Sequence, residues 1–382
     1  MNNSNDKIKI LVIARWPVGG IRTFFKYVFS KFDQDKYTFI FVLPHDSNPK
    51  ELSSTLNIPL SNIHIVEKPA SFFSFIRIIF KLIKNKEINL VNSHGFTAGL
   101  YALIPALITR TPHLMSVHFV FWKNYFEGIK GFAKKALLSV IFPLIDHIHC
   151  VSNDSKNSLV DQLAILKLKK NSIHVITNGI DTRLFSEPTK EDFYSDEIKA
   201  NMKLIGYFGR FMPEKGFGYL SDAVSLLENS YKVDSKFKVL CFGWGGFIRE
   251  EQKKLKLAGI DHLFQFMDYR ENIAPSIRGL DMVVMPSLQE AGPLLPMETM
   301  VTGTPFIGTD CVGLREVLKD TPAYIVPAGN AEALAQAILK EINFSRRKDF
   351  EAFIKESIQR FEVKHRADEL MQLIDKVISQ GK

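Results

Sequence analysis

Cysteine is scarce in this chain of 382 residues: Cys150, Cys241 and Cys311 stand far apart and form no CxxC pair. Neither a disulfide framework nor a structural zinc site is therefore indicated, and a reducing cytosol is the expected setting. A GxGxxG fingerprint is missing as well, which disfavours hydride transfer from a dinucleotide. Helix-turn-helix, zinc-finger and RNA-binding signatures are absent, so no nucleic-acid partner is expected. The opening MNNSNDKIKILVIA has neither a long apolar core nor a small-residue cleavage site, which argues against a secretory signal. One stretch, Ile88–Thr109, lacks Lys, Arg, Asp and Glu over 22 residues, enough for a membrane span. It holds Asn89, Asn92, Ser93, His94 and Pro105, however, so a buried strand (INLVNSH) and a buried helix (TAGLYALIPALI) are predicted instead.

What is present is ordinary for a folded protein: 46% apolar and 24% charged residues. The charge is uneven, since residues 1–200 hold 25 Lys and Arg against 17 Asp and Glu while the remainder is balanced. All of the formal +8 thus lies in the first half, which suggests an anionic surface as its partner. Two regions begin the same pattern of apolar strand, glycine turn and amphipathic helix. The first is KIKILVIA, WPVGG and IRTFFKYVFSKF; the second is KLIGYFGR, FMPEKG and FGYLSDAVSLLEN. Two α/β domains of Rossmann type follow, at residues 1–185 and 201–360, with 186–200 (SEPTKEDFYSDEIKA) as linker. The final helix, within 361–382, is free to return to the first domain.

Ligands of such sheets bind beyond the carboxyl ends of the strands, so chemistry is sought there. Gly19 and Gly20 form a turn that aims backbone N–H groups at an anion. In the second turn Arg210 ends a strand and Lys215 precedes Gly216, a fork and a point charge suited to a diphosphate. Glu290 follows the strand DMVVMPS, and Glu298 falls two turns along in the next helix, suited to a polyhydroxylated ligand. Asp33 and Asp35 form an Asp-x-Asp pair, but they precede a strand at the opposite end and read as a solvated turn. No cluster has metal-ligand spacing, so no metal or other cofactor is expected.

The run Gly206–Gly216, the E-x7-E element Glu290–Glu298, VITNGIDTRLF (Val175–Phe185) and TGTPFIGTDCVGLREV (Thr302–Val317) resemble the signatures of retaining GT-B glycosyltransferases of family 4. The resemblance implies two Rossmann-like domains facing each other across a cleft. It further implies that Arg210 and Lys215 hold the diphosphate of a nucleotide-sugar donor, that Glu298 binds the ribose, and that Glu290 faces the sugar. Gly20 matches the loop glycine near diphosphate and acceptor, Glu316 the acidic residue of a GGxxE-like segment, and His118 a histidine beside the transferred sugar. His94, on the preceding strand, is a further candidate.

The sequence departs from that pattern in three places. Gly292 and Pro293 follow Glu290 where an aromatic residue and a glycine are usual, so any N–H contact to phosphate falls to Leu294 or Leu295. Val312-Gly313 replaces a glycine pair, and Trp244 in FGWGG stands where a polar residue is common. Two helices of the first half, Ser71–Lys84 and Trp122–Phe142, mix aromatics with lysines and resemble interfacial helices on an anionic membrane. The expected function is transfer of a sugar from a UDP- or GDP-sugar to a glycan or lipid-linked acceptor. Cell-surface polysaccharide or lipopolysaccharide biosynthesis, at the cytoplasmic face of a membrane, is the expected setting. A nucleotide-sugar 2-epimerase and a catalytically silent nucleotide-sugar binder are the alternatives.

Overall fold

The computed structural model describes residues 7–15, 19–67, 71–122, 124–195, 202–231, 236–268 and 270–381. Trp16 to Val18 of the first turn, Lys123, and residues 196–200 of the expected linker lie outside them. The chain forms two compact units, residues 1–179 with 363–382, and residues 180–362.

The first unit is built on seven parallel strands: β1 (Ile8–Ala14), β2 (Tyr37–Pro44), β3 (Ile63–Val66), β4 (Leu90–His94), β5 (His113–Val117), β6 (His147–Cys150) and β7 (Ile173–Val175). Their order is β3-β2-β1-β4-β5-β6-β7, so the chain reverses direction of travel between β1 and β4. Strands covered on both faces must be apolar along their whole length, and Ile10 to Ala14 are fully buried. Among the described residues the α-helices between them are α1 (Gly20–Val28), α2 (Pro49–Leu56), α3 (Phe72–Lys86), α4 (Phe96–Thr109), α5 (Gly128–Ile141) and α6 (Asn153–Gln162).

The second unit repeats the plan with β8 (Met202–Phe208), β9 (Lys236–Phe242), β10 (Phe264–Met267), β11 (Met282–Met285), β12 (Phe306–Thr309) and β13 (Tyr324–Val326). Their order is β10-β9-β8-β11-β12-β13, with the reversal between β8 and β11. The helices are α7 (Phe217–Leu226), α8 (Ile248–Leu257), α9 (Ala274–Gly279), α10 (Leu295–Val301), α11 (Leu314–Leu318), α12 (Ala331–Asn343) and α13 (Arg347–Phe361).

The last helix, α14 (Val363–Gln380), belongs to the first unit. It buries Val363, Ala367, Leu370, Leu373, Ile374 and Val377 along one stripe. Its Asp375 accepts hydrogen bonds from the Tyr37 hydroxyl at 2.8 Å and from Lys36 at 2.6 Å. Burial is the main cause that pushes the Tyr37 phenol up to about 12.

Three local expectations differ from what is observed. The chain changes unit between Gly179 and Ile180, ahead of the polar run 186–200. Glu191 of that run acts as a latch: its carboxylate accepts from Arg270 at 3.0 Å, and its backbone N–H donates to the Pro275 carbonyl at 2.9 Å. Helix α3 buries Phe75, Ile79, Leu82 and Ile83 in the core, which makes it a sheet-covering helix rather than an interfacial one. Conversely α4, expected to be buried all round, exposes Ile104, Leu107 and Ile108 on its outer face. Among the described residues no helix is long and apolar enough to cross a membrane.

Candidate active site

In the second unit the carboxyl ends of β8 and β11 converge through glycine. Gly216, with φ +68°, closes the β8–α7 turn, and a Cβ there would run into the Pro286 carbonyl oxygen just beyond β11. Only a residue without a side chain allows both the left-handed backbone and this approach. The loop is tied further by Leu288 N–H to the Glu214 carbonyl at 2.9 Å. That closeness delivers Lys215 Nζ to within 2.7 Å of Glu290 Oε1.

The same carboxylate oxygen accepts from Ser287 Oγ at 2.8 Å, and Thr309 Oγ1 donates to the Ser287 carbonyl at 2.5 Å. The Glu290 backbone is set by its N–H to the Val312 carbonyl at 2.8 Å. Gly313, with φ +81°, lies under the Glu290 carbonyl, where a Cβ would collide. Glu316 follows in α11, one turn on. The segment that resembles a glycine pair and an acidic residue is thus the floor beneath Glu290.

Arg210, half-buried, lies not at the end of β8, as expected, but two residues beyond it in the following loop, and its carbonyl accepts the Tyr207 hydroxyl at 3.2 Å. Glu298 is buried in the first turn of α10, since that helix begins only at Leu295. This corrects the expected two-turn placement: Pro293 and Pro296 postpone the helix, and Glu290 to Leu294 form a loop. Leu294 and Leu295 stand at the start of α10, where backbone N–H groups have no helical partner. Trp244 is exposed beside this edge, with its carbonyl accepting from Phe211 N–H at 2.9 Å.

The equivalent edge of the first unit carries imidazoles. His94 ends β4 beside Ala14 of β1, at the reversal of strand order, and His118 follows β5. Nδ1 of His94 lies 2.9 Å from Nε2 of His118, and His94 Nε2 lies 2.8 Å from Asn92 Oδ1. Two rings of α1 cap the pair: Phe24 sits edge-on to His118 at 4.9 Å and Phe25 perpendicular to His94 at 4.8 Å. Burial, then the neighbouring His118 and His149, holds His94 well below the ordinary imidazole range. His118, half-buried as a residue, is lowered in the same direction, by burial and then His149. Both are neutral at physiological pH.

Gly19 and Gly20 open α1, and a Cβ on either would meet nothing within 4 Å. Gly19 has φ +56°, so its backbone is left-handed and the space above both residues is open to a ligand. Asp33 lies in the turn before β2, where its Oδ1 accepts the Asp35 N–H at 2.8 Å. Among the described residues no group of His, Cys, Asp and Glu is placed to hold a metal ion. Ser287, Asn92, Ser116 and His149 escaped the sequence reading. Spacing offered one signal: Asn92 and His94 are two apart on β4 and therefore share a face.

Two family models match the chain, Glycosyltransferase Family 4 over residues 18–184 and Glycosyl transferases group 1 over residues 202–343. The galactosyltransferase of Escherichia coli that uses UDP-Gal and GlcNAc-diphosphoundecaprenol is 23% identical over 294 residues, covering 73% of this chain and 72% of its own. The lipopolysaccharide core biosynthesis mannosyltransferase LpsB of Rhizobium meliloti is 29% identical over 175 residues, 43% of this chain and 48% of that one. The crystal structure of Anabaena HepE with UDP-glucose superposes with a TM-score of 0.78 at 18% identity, covering 96% of this chain and 99% of its own. At that identity the likeness speaks for the fold. With one family model over each sheet and the GT-B arrangement of two parallel sheets, the chain belongs to the family 4 glycosyltransferases.

Proposed function

We propose that this glycosyltransferase is a retaining enzyme that moves a sugar from a UDP- or GDP-sugar to a hydroxyl of a lipid-linked or glycan acceptor. The observation that carries the reading is the Lys215–Glu290 pair at the joined ends of β8 and β11. In the proposed reaction the bond between sugar C1 and the donor phosphate breaks, and the acceptor oxygen bonds to C1 on the same face. The acceptor proton passes to the departing phosphate oxygen. Arg210 and Lys215 stabilise the negative charge that develops on the diphosphate, and the N–H groups of Leu294 and Leu295 add partial positive charge. Glu290, held through Oε1 by Ser287 and Lys215, turns its other oxygen to the sugar hydroxyls. Glu298 binds the ribose. Gly19 and Gly20 admit the donor phosphates, and His118 bonds the sugar. No metal is assigned a part, because the two cations supply the charge.

The acceptor reading draws on one relative that acts on GlcNAc-diphosphoundecaprenol and another of lipopolysaccharide core biosynthesis. Helix α5 supports a membrane partner. Its outward stripe is apolar, with Ile129, Phe132, Leu137 and Val140 all exposed, while Leu138 faces the core. Lys134 and Lys135 flank that stripe, over the rings of Tyr125 and Phe126. A stripe of this kind suits the interface of an anionic leaflet, apolar side down. The proposed site of action is the cytoplasmic face of the membrane, in cell-surface polysaccharide or lipopolysaccharide biosynthesis.

The test is incubation of the purified protein with individual UDP- and GDP-sugars and a polyprenyl-diphosphate sugar. Transfer with retained anomeric configuration in the presence of EDTA is expected. C2 epimerisation, or binding without turnover in every combination, would sink the reading.

A further inference from the structure

The histidines at the edge of the first sheet form a chain of hydrogen bonds whose direction is dictated at its deep end. Backbone carbonyls can only accept. His149 Nε2 lies 3.0 Å from the Ile176 carbonyl, so that nitrogen bears the proton and Nδ1 is an acceptor. Ser116 Oγ, 3.2 Å from His149 Nδ1, donates to it. Asn92 Nδ2 donates to the Leu114 carbonyl at 3.0 Å and to Ser116 Oγ at 3.2 Å. A flipped amide would set two oxygens against each other, so Oδ1 must face His94.

His94 Nε2 therefore donates to Asn92 Oδ1 at 2.8 Å, and its Nδ1 accepts. The donor to that Nδ1 is His118 Nε2, at 2.9 Å. One position remains. With Nε2 protonated and the ring neutral, His118 Nδ1 is left as a lone pair at the end of the chain, on a residue that is half-buried.

We infer that this chain presents His118 Nδ1 as a fixed acceptor for an uncharged sugar hydroxyl, with Asn92 and His94 as positioning residues that set its tautomer. The inference rests on the transferase reading for the identity of the ligand, but the tautomer itself does not. The same lone pair repels a phosphate oxygen, so this nitrogen selects a hydroxyl donor over an anion. Removing the Asn92 acceptor removes the constraint. A bare ring nitrogen costs less to bury than an unpaired N–H, so His94 then shifts its proton to Nδ1 and donates to His118 Nε2. His118 would then carry its proton on Nδ1 and face the hydroxyl with the wrong polarity.

Nitrogen-15 NMR of histidine-labelled full-length protein reads each ring nitrogen directly and needs no turnover. At neutral pH His118 is expected to be protonated at Nε2 and bare at Nδ1. Asn92→Leu is expected to invert that assignment, whereas Ser116→Ala leaves it unchanged because the Leu114 carbonyl still orients Asn92. In transfer assays with UDP-glucose, UDP-galactose and GDP-mannose, Asn92→Leu should lose about tenfold or more in kcat/KM, and Ser116→Ala less than about threefold. A proton on Nδ1 of wild-type His118 overturns the proposal. So does an inverted tautomer with undiminished kcat/KM. If Asn92→Leu does not fold, the wild-type spectrum still decides. Failure of the wild type to use any donor would count against the transferase reading alone, since the spectrum stands apart from it.

Discussion

The carboxyl ends of the two sheets sit at the same topological place and use opposite electrostatics. In the second unit a lysine and a glutamate meet at 2.7 Å, with a serine holding the carboxylate. In the first unit the ends of β4, β5 and β6 bring together a series of neutral amide, hydroxyl and imidazole groups. A charged pair suits a group that gains negative charge during the reaction, whereas a neutral series suits hydroxyls that must be oriented. The outer faces differ too: the first unit carries the whole positive surplus and the apolar stripe of α5.

Removing the charged edge should have the largest effect on catalysis. Lys215→Ala should cost about 2–4 kcal/mol of transition-state stabilisation, a fall of about 30- to 1,000-fold in kcat/KM. Unchanged turnover would mean that the ion pair only braces the loop. The outer-face contrast is sharpened by Ile129→Glu with Phe132→Glu. Losing two apolar anchors of about 1.5–3 kcal/mol each should abolish flotation with phosphatidylglycerol vesicles. Because both side chains are exposed, the melting temperature should hardly move.

The buried imidazoles of the first sheet predict an acid response. Burial lowers His113 to about 3 and His149 to about 4 in the folded protein, while unfolded imidazoles titrate near about 6.5. The unfolded chain therefore binds more protons below that value, and stability is present above it and falls as pH drops toward the folded values. At pH 5 the loss should be about 1–2 kcal/mol per histidine, read from denaturant midpoints between pH 7 and 5. A flat profile would mean that these rings are solvated. The smallest effect belongs to Ser287→Ala, which removes one bond to Glu290 and should cost about 1 kcal/mol, roughly fivefold in kcat/KM.

Much of this was legible beforehand, for reasons tied to particular residues. Parallel strands covered on both faces leave apolar runs such as Leu204 to Phe208, and a turn that must pass under Pro286 leaves Gly216. Arg210, Lys215 and Glu290 could be named because strand ends locate chemistry before any contact is known. The misreadings were of faces. Helices α3 and α5 have similar composition, yet α3 turns Phe75 and Ile79 inward while α5 turns Ile129 and Phe132 outward. Apolar content does not say which side of a helix the sheet will cover.

Local order along the chain was enough to determine the α/β alternation, the two restarts, the glycine turns and the sign of the charge near each, because all of these depend on residues within a few positions. Pairing across distance was decided by the tertiary structure alone. Lys215 finds Glu290 over 75 residues, and His94 finds His118 over 24. The polarity of the histidine chain depends on carbonyls of Leu114 and Ile176, which every residue possesses and which become specific only when neighbouring strands bring them within bonding distance.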